Sequence, residues 1–450
     1  MEMQENKMGV MPVKRLIINM ALPMMISMLV QALYNVVDSI FVAMIEEDAL
    51  TAVTLAFPMQ NLMIAVGSGT GVGINALLSK ALGEKDTKKA SKAANVGLFL
   101  TALSFAAFLI IGIFGAGPFI ASQTDSPVIR GYGSSYLRIV SCLSFGLFFQ
   151  VTFERLLQST GRTVQSMISQ STGAIVNLIF DPVMIFGLFG FPKLGVAGAA
   201  YATVLGQVCA ACVGLRMNLK KNPEIRISLQ EILHPEASIV KRIYFVAIPS
   251  ILMVSIGSLM TYMMNRILIM FSTTATAVFG VYFKLQSFIF MPVFGLNNGL
   301  IPVLAYNYGA RRRDRIEEAL WFTLRLAVGI MLAGMLAFQL MPDTLLRMFN
   351  ASDEMLVIGR SALRIISISF PVAGACIVMG SVFQAFSQSY YSLIVSVGRQ
   401  LVVLIPVAWL LSTTGVVTNV WWAFPIAEVM SLILSISLFH RLYKNIIMKI

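Results

Sequence analysis

Charged residues are scarce in this chain. Of its 450 residues only 12% are Asp, Glu, Lys or Arg, whereas 57% are hydrophobic, and the mean hydropathy is +0.81. Soluble globular domains carry about 25% charged residues, so this composition excludes an ordinary soluble protein. It indicates a protein that crosses the lipid bilayer many times.

Cysteine and histidine are also rare, and the common catalytic motifs are absent. The cysteines all lie in apolar runs, which argues against a disulfide framework; they are Cys142, Cys209, Cys212 and Cys376. Cys209-x-x-Cys212 has no second pair, and a tetrahedral zinc site needs four ligands. Because H-E-x-x-H, G-x-S-x-G and Walker sequences are missing, we expect neither an enzyme nor a cofactor.

Apolar runs long enough to cross a membrane recur along the whole chain. A span needs about 20 apolar residues, and the sequence predicts about twelve of them. They cover roughly 16–45, 50–79, 93–117, 132–158, 163–190, 195–218, 242–271, 276–306, 317–341, 358–387, 391–413 and 418–442. We therefore expect an all-α membrane protein.

The basic residues, which give a net charge of +12, collect in alternate loops. They cluster before the first span, after the second, between the sixth and seventh, after the eighth and at the C-terminus. Such clustering marks the cytoplasmic side of a membrane protein. It predicts that both termini are cytoplasmic, and it explains the charge without nucleic acid as a partner.

The second half of the sequence repeats the first at a shift of 226 residues (249 minus 23). The shift pairs identical residues over a long span, namely Pro23 with Pro249, Gln60 with Gln286, Gly69 with Gly295, Gly73 with Gly299, Gln158 with Gln384 and Ser166 with Ser392. We predict two pseudo-symmetric six-helix bundles, an N-terminal lobe at 1–220 and a C-terminal lobe at 242–450, joined by a cytoplasmic linker at 221–241. Transporters built from repeats bind substrate between them and alternate access by rocking.

Two features of the repeat concern helix shape and packing. Pro23 and Pro249 lie within the first helix of each half, where proline favours a bend. We interpret them as hinges, the alternative being inert kinks. The glycines of Gly67–Gly73 have overlapping G-x-x-x-G spacings, which predict close helix packing in lipid.

The most informative polar residues lie in the first half. Gln31, Tyr34 and Asp38 fall at i, i+3 and i+7 of the first helix and share one face. Asn177 and Asp181 are an i, i+4 pair on the fifth helix. Carboxylates inside membrane spans are costly and by default indicate function.

The two carboxyl groups suit a cation site. A carboxyl removed from water is driven toward its neutral form, and Asp38 and Asp181 can each take up a proton or help to bind sodium. Either carboxylate also attracts an organic cation. If proton and substrate favour opposite-facing states, antiport follows. The alternative is that both residues cap helix breaks or neutralise a buried base.

Other ionisable residues are harder to assign. Glu154, at the end of the fourth span beside Arg155, is either an interfacial partner of that arginine or a pocket residue. The second half has different charges in its spans, Arg266, Lys284, Arg399 and Glu428. They either neutralise one another or, in the case of Lys284, contact substrate.

Several short motifs, in order and spacing, resemble the multidrug and toxic compound extrusion (MATE) transporters, most closely the bacterial DinF and MepA type. They are Ala21-Leu22-Pro23, the stretch Leu77–Asp86, Gln158-Ser159-Thr160-Gly161-Arg162, Asn177–Pro182, Gly198–Thr203 and Pro302–Gly309. The likeness covers nearly the whole chain.

The resemblance implies two six-helix lobes that export amphipathic organic cations and hydrophobic drugs against a proton or sodium gradient. It implies a cation site at Asp38, Asn177, Asp181 and Thr203, with Gln31, Tyr34 and Glu154 at pocket positions. No metal is implied beyond a sodium ion at Asp38, Asn177 and Asp181. We expect a monomer.

Three other functions are considered. A flippase for lipid-linked precursors requires a strongly basic cavity, whereas the first half offers acids. The sequence lacks the motifs of an intramembrane enzyme. A passive channel does not need two repeated lobes.

Overall fold

The structure, a computed structural model, describes residues 6–349 and 351–450, with the backbone alone for Ala43 and Glu47. In the first half of the chain the helices are α1 Lys7–Val10, α2 Val13–Ala43, α3 Glu47–Gly83, α4 Thr87–Phe114, α5 Ala116–Ala121, α6 Pro127–Cys142, α7 Phe145–Ser159, α8 Thr163–Phe186 and α9 Val196–Lys221. The segment that follows contains α10, Leu229–Leu233.

In the second half the helices are α11 Ala237–Leu268, α12 Thr273–Gly309, α13 Arg313–Leu340, α14 Pro342–Arg347, α15 Asp353–Ser367, α16 Phe370–Ala385, α17 Ser389–Val397, α18 Ile405–Ser412, α19 Val417–Val420 and α20 Ala423–Asn445. A π-helical segment, Gly398–Leu404, joins α17 to α18 without a break. The predicted all-α fold is confirmed.

The number of membrane spans agrees with the sequence. In the described part of the chain, 10 helices are long and apolar enough to cross a membrane, and two bent helix pairs raise the number to 12. The pairs are α6 with α7, bent by 45°, and α15 with α16, bent by 48°. The fourth and tenth predicted spans are therefore bent helix pairs rather than single straight helices. Pro371 explains the second bend, because it lies in the first turn of α16 and has no N–H to continue α15.

The chain divides into two compact units. The first contains Asn6 and Ile26–Ile251, and the second contains Lys7–Met25 and Leu252–Ile450. The chain thus passes from one unit to the other inside α2 and inside α11, two residues after Pro23 and Pro249 respectively. Both helices continue through their prolines. The lobe boundaries at 220 and 242 remain a prediction from the repeat.

In the first unit, glycines of α3 allow α11 to approach closely. A Cβ atom on Gly69 would lie 2.5 Å from Ile251 Cγ1, and one on Gly73 would lie 2.5 Å from the Ile243 carbonyl oxygen. No side chain fits at these distances, so the glycines are required by the contact. This is the close packing that the spacing predicts.

The repeat-related glycines of α12 do the same in the second unit. A Cβ on Gly295 would lie 2.5 Å from Met25 Cα, and one on Gly299 would lie 2.7 Å from Ala21 Cα. The repeat thus preserves the same close helix contact in each unit.

Polar side chains fix the two segments that flank the spans. In the first unit, Asn95 of α4 donates to Glu231 Oε2 at 2.7 Å and to the Arg226 carbonyl at 2.9 Å, which fastens the predicted linker to α4. In the second unit, Arg315 of α13 donates to the carbonyls of Met8 and Met11 at 3.1 and 2.7 Å. The carbonyls that end α1 are thereby satisfied.

Candidate functional site: a carboxyl pair between three helices

The polar face of α2 contacts α8 and α9 of the same unit. Gln31 Oε1 accepts a hydrogen bond of 2.9 Å from Gln170 Nε2 of α8. One turn further along, the Tyr34 hydroxyl lies close to the Thr203 side chain of α9. The three predicted α2 residues therefore face the two helices that carry the rest of the predicted cation site.

Close packing of α8 on α9 brings short side chains within reach of one another. A Cβ on Gly206 of α9 would lie 2.6 Å from the Gly173 carbonyl oxygen and 3.1 Å from Asn177 Cβ. Asn177 and Asp181 lie one turn apart on the same face of α8, with 3% and 0% of their surface exposed. The glycine contact thus buries the predicted i, i+4 pair against α9.

Asn177 links Asp181 to α9. In the amide orientation that satisfies both of its ends, Nδ2 donates to Asp181 Oδ2 at 2.9 Å and the side-chain oxygen accepts from the Thr203 backbone N–H at 3.2 Å. Thr203 is 6% exposed. A long connection, which begins with Gly187 in the left-handed conformation at the end of α8, precedes the helix that carries Thr203. Thr203 nevertheless lies beside Asn177.

Asp38 meets Asp181 directly. The two carboxyl groups are within hydrogen-bonding distance of each other. Two carboxylates both accept and neither donates, so this contact requires a proton or a cation between them. Asp38 Oδ1 is buried and has no hydrogen-bond partner among the residues that the structure describes. The buried Asp38 carboxyl thus has an acceptor that a proton or cation can satisfy.

A proline directly after Asp181 frees a backbone carbonyl of α8. Pro182 follows Asp181 inside α8 and has no N–H to donate to the carbonyl of Leu178, one turn back. Helix carbonyls released in this way coordinate ions in transporters. The site thus offers oxygens of two kinds, from carboxyl groups and from the backbone.

Two further residues of the site were not identified from the sequence. Tyr136 of α6 is 3% exposed and lies near Asp38, and its hydroxyl accepts a hydrogen bond of 3.1 Å from Gln60 Nε2 of α3. Gln60 had a signal, since it is a polar residue in an apolar span that recurs as Gln286 in the repeat. Tyr136 had none, because tyrosine is common in membrane helices.

Glu154 forms its hydrogen bond within its own helix. It is buried in α7, and its Oε1 accepts a hydrogen bond of 3.0 Å from Gln150 Nε2 one turn earlier. In the described residues no hydrogen bond joins Glu154 to Asp38 or Asp181. Six of the seven predicted cation-site and pocket residues are thus joined by contacts between α2, α8 and α9, and Glu154 is not.

The ionisable residues of the second half form one pair. Arg399 Nη1 donates to Glu428 Oε2 at 3.2 Å. Within the described chain, Arg266 and Lys284 form no ion pair with them, and both side chains are exposed. Mutual neutralisation, one of the two interpretations of these four residues, therefore applies to Arg399 and Glu428 alone.

Comparison with known proteins gives a consistent result. The family model described as MatE matches residues 23–183 and 249–410, one match in each half. Relatives include a FAD transporter of Shewanella oneidensis, 26% identical with 93% of this chain and 92% of that protein covered, and the multidrug export protein MepA of Staphylococcus haemolyticus, 24% identical with 94% and 92% covered.

Solved structures show the same fold. A transporter of the MOP superfamily from Pyrococcus furiosus, described as having a binding pocket of reverse polarity, superposes with a TM-score of 0.92 at 24% identity, covering 98% of each chain. An outward-facing multidrug resistance MATE transporter superposes at 0.91, also at 24% identity, covering 98% of this chain and 99% of that one. The family model covers well over half of the sequence, and we conclude that this chain belongs to the MatE family of multidrug efflux transporters.

Proposed function

We propose that this chain is a secondary active exporter that couples the inward movement of a proton or sodium ion to the extrusion of amphipathic, often cationic organic compounds. The observation that carries the proposal is the contact between the Asp38 and Asp181 carboxyl groups, with Asp38 Oδ1 left without a partner in the described residues. A charge at this depth is costly unless it is neutralised. Here a bound proton or sodium ion reduces this charge.

The pair provides competition between two cations. When a proton or sodium ion bridges Asp38 and Asp181, the net charge of the pair falls from −2 to −1; when the ion leaves, an organic cation supplies the positive charge instead. Antiport results if the ion and the organic cation stabilise states that open to opposite sides. No cofactor takes part.

Sodium and a proton use the same groups differently. A proton needs only the two carboxyl oxygens. Sodium also uses a neutral oxygen, which Leu178 supplies, because its carbonyl has no helical N–H from Pro182. Asn177 donates to Asp181 and so orients that carboxyl group. Thr203 positions Asn177, while Gln31 and Tyr34 orient α2 and line the route to the pair.

Pro23 and Pro249 are proposed as the hinges of the transport cycle. Each lies two residues before its helix passes from one compact unit to the other. A residue without a backbone N–H weakens the helix at that point. The protein functions as a monomer in the bacterial cytoplasmic membrane, with both termini on the cytoplasmic side, where the basic loops lie.

The test is transport of a cationic dye by the purified protein in lipid vesicles, under an imposed proton or sodium gradient. Asp38→Asn and Asp181→Asn are expected to lose gradient-driven transport, because an amide is uncharged and does not take up a proton. Asp125→Asn is the matched control, since Asp125 is fully exposed. Full transport by both site variants would contradict the coupling site. Dye movement without any gradient would indicate a facilitator, and translocation of a lipid-linked precursor instead of the dye would favour a flippase.

A further inference from the structure

The second unit contains an ion pair within two spans, with a buried carboxylate and a partly exposed arginine. Arg399 lies ten residues into the 24-residue span Ser389–Ser412, at a depth of roughly 15 Å along the helix axis. Glu428 lies in α20, within the span Val417–Lys449. A hydrocarbon layer is about 30 Å thick, so Arg399 is near its centre and lipid headgroups are out of comfortable reach.

The pair is only partly satisfied. A guanidinium group has five N–H donors, yet in residues 6–349 and 351–450 the structure gives Arg399 one hydrogen bond, to Glu428. Glu428 Oε1 is buried and has no partner in the same residues. A buried ion pair that serves only stability requires its remaining donors and acceptors to be paired. Here a guanidinium edge and a carboxylate oxygen both remain available, and 32% of the Arg399 side chain is exposed.

The local backbone is irregular at the same place. Arg399 is the second residue of the π-helical segment Gly398–Leu404. Such widened turns are rare and occur frequently at functional sites. Within the segment, Gln400 is buried and donates to Ser396 Oγ at 2.8 Å. Gln400 therefore stabilises the wide turn and is not a partner of Arg399.

The sequence repeat relates this pair to the carboxyl site of the first unit. The shift of 226 residues places Arg399 opposite Gly173 of α8, and the π-helical segment opposite residues 172–178, which include Asn177. It places Glu428 opposite Ala202, the neighbour of Thr203. The same two helices of the repeat therefore carry a cation site in one unit and an arginine–glutamate pair in the other.

We propose that Arg399 and Glu428 form a second binding site, which takes a zwitterionic compound. The compound's carboxylate or phosphate replaces Glu428 on the guanidinium edge of Arg399, and its cationic group lies against the released Glu428 carboxylate. Arginine suits the anionic part because its planar edge makes two parallel hydrogen bonds to such groups. A zwitterion suits the pair as a whole, since a simple anion would leave Glu428 charged and unpaired in a medium of low dielectric constant.

This inference rests on the proposed function, because it concerns a compound that the exporter carries, and the experiment separates the two. Rhodamine B, a zwitterion with a free carboxylate, is compared with its ethyl ester, a cation of the same shape. Equilibrium binding of each dye to the full-length protein in lipid nanodiscs is followed by fluorescence polarisation. Binding at equilibrium needs no ion gradient, so it does not depend on coupled export.

The variants are Arg399→Gln, the double variant Arg399→Gln/Glu428→Gln, and the control Arg360→Gln, an exposed arginine of α15. Removing a hydrogen bond to a charged group is expected to weaken rhodamine B binding by about tenfold or more in both site variants. The affinity of each site variant for the ester is expected to stay within about threefold of the wild-type affinity, because the ester has no carboxylate to bind Arg399. The double variant leaves no unpaired charge, so it keeps the test valid if Arg399→Gln alone unfolds.

Two results would overturn the inference: a double variant that binds rhodamine B as the wild type does, or a wild type that binds the ester but not rhodamine B. Equal loss of both dyes in a folded double variant would also contradict it, because the pair would then serve general packing. Failure of gradient-driven export of the ester, with Arg399-dependent binding of rhodamine B intact, would refute the proposed function and leave this site standing.

Discussion

The side-chain oxygen of Asn177 accepts a hydrogen bond of 3.2 Å from the backbone N–H of Thr203, which holds Asn177 Nδ2 against Asp181 at 2.9 Å. A backbone N–H in a packed helix keeps its position, whereas a side-chain donor can change rotamer. The position of the Asn177 amide is therefore set by the contact between α8 and α9, and the Asp181 carboxyl is positioned through it.

This arrangement predicts an order of effects on gradient-driven export. Asn177→Ala removes the amide that donates to Asp181, and loss of a hydrogen bond to a charged group is expected to cost about tenfold or more in transport rate. Thr203→Val keeps the backbone N–H and loses the hydroxyl group, which lies 3.4 Å from the Asn177 side-chain amide and close to Tyr34, so the expected loss is about threefold.

The measurement is the initial rate of cationic dye transport in vesicles, with Asn35→Ala as the control because Asn35 is exposed on α2. A larger loss in Thr203→Val than in Asn177→Ala would show that the hydroxyl group, rather than the amide, organises the site.

A second prediction concerns the glycines of α12. Gly299→Ala places a methyl group 2.7 Å from Ala21 Cα, and backbone atoms of a packed helix do not give way easily. Overpacking of this kind costs about 1–3 kcal/mol. The variant is expected to unfold at a lower temperature than the wild type, in detergent or nanodiscs.

Gly280→Ala on the same helix is the matched control, because a Cβ atom there meets nothing within 4 Å. It is expected to leave the unfolding temperature unchanged or raise it slightly, since alanine favours helix over glycine. Equal unfolding temperatures for the two variants would mean that the contact between α2 and α12 is looser than the structure indicates.

A third prediction concerns pH and an exposed ion pair between Asp343, which lies outside the spans, and Arg360 near the start of the tenth. Arg360 donates to both oxygens of Asp343 at 2.8 Å, and this bidentate contact holds the pKa of the Asp343 carboxyl below its ordinary value. A carboxyl whose pKa is lower in the folded state stabilises the fold above its unfolded pKa, and that contribution is lost as the pH falls through the folded pKa.

Asp343→Asn is therefore expected to lower the unfolding temperature at neutral pH, with a difference from the wild type that shrinks below about pH 4. The effect is small, because both side chains are exposed to solvent and salt screens the pair. Thermal unfolding across a pH series measures it. A difference that grows at low pH would contradict the assigned sign.

Much of the architecture could be predicted because lipid imposes simple rules on sequence. Spans must be apolar and about 20 residues long, so twelve runs predict twelve spans. The bends within α6–α7 and α15–α16 were not predicted, since hydropathy alone does not register a break of two residues inside an apolar run. Pro371 was the local signal for one of them.

The candidate site shows a similar limit. Helical spacing places Gln31, Tyr34 and Asp38 on one face and pairs Asn177 with Asp181, but spacing within a helix does not identify the facing helix. The Asp38–Asp181 and Arg399–Glu428 contacts depend on tertiary packing, and so does the approach of Tyr136. Among the described residues, the lack of a hydrogen bond between Glu154 and the carboxyl pair is likewise a tertiary property.

The central claim is that a coupling ion and an organic cation compete for the Asp38–Asp181 pair. The most direct measurement is proton release when a cationic dye is added to the purified protein in weakly buffered, sodium-free solution, together with the dependence of dye affinity on added sodium. We predict about one proton released per bound dye if the ion is a proton, or dye affinity that falls with sodium concentration if the ion is sodium, with either effect abolished by Asp38→Asn and by Asp181→Asn. Dye binding to the wild type without proton release or sodium competition, or the same response in both variants, would contradict the claim.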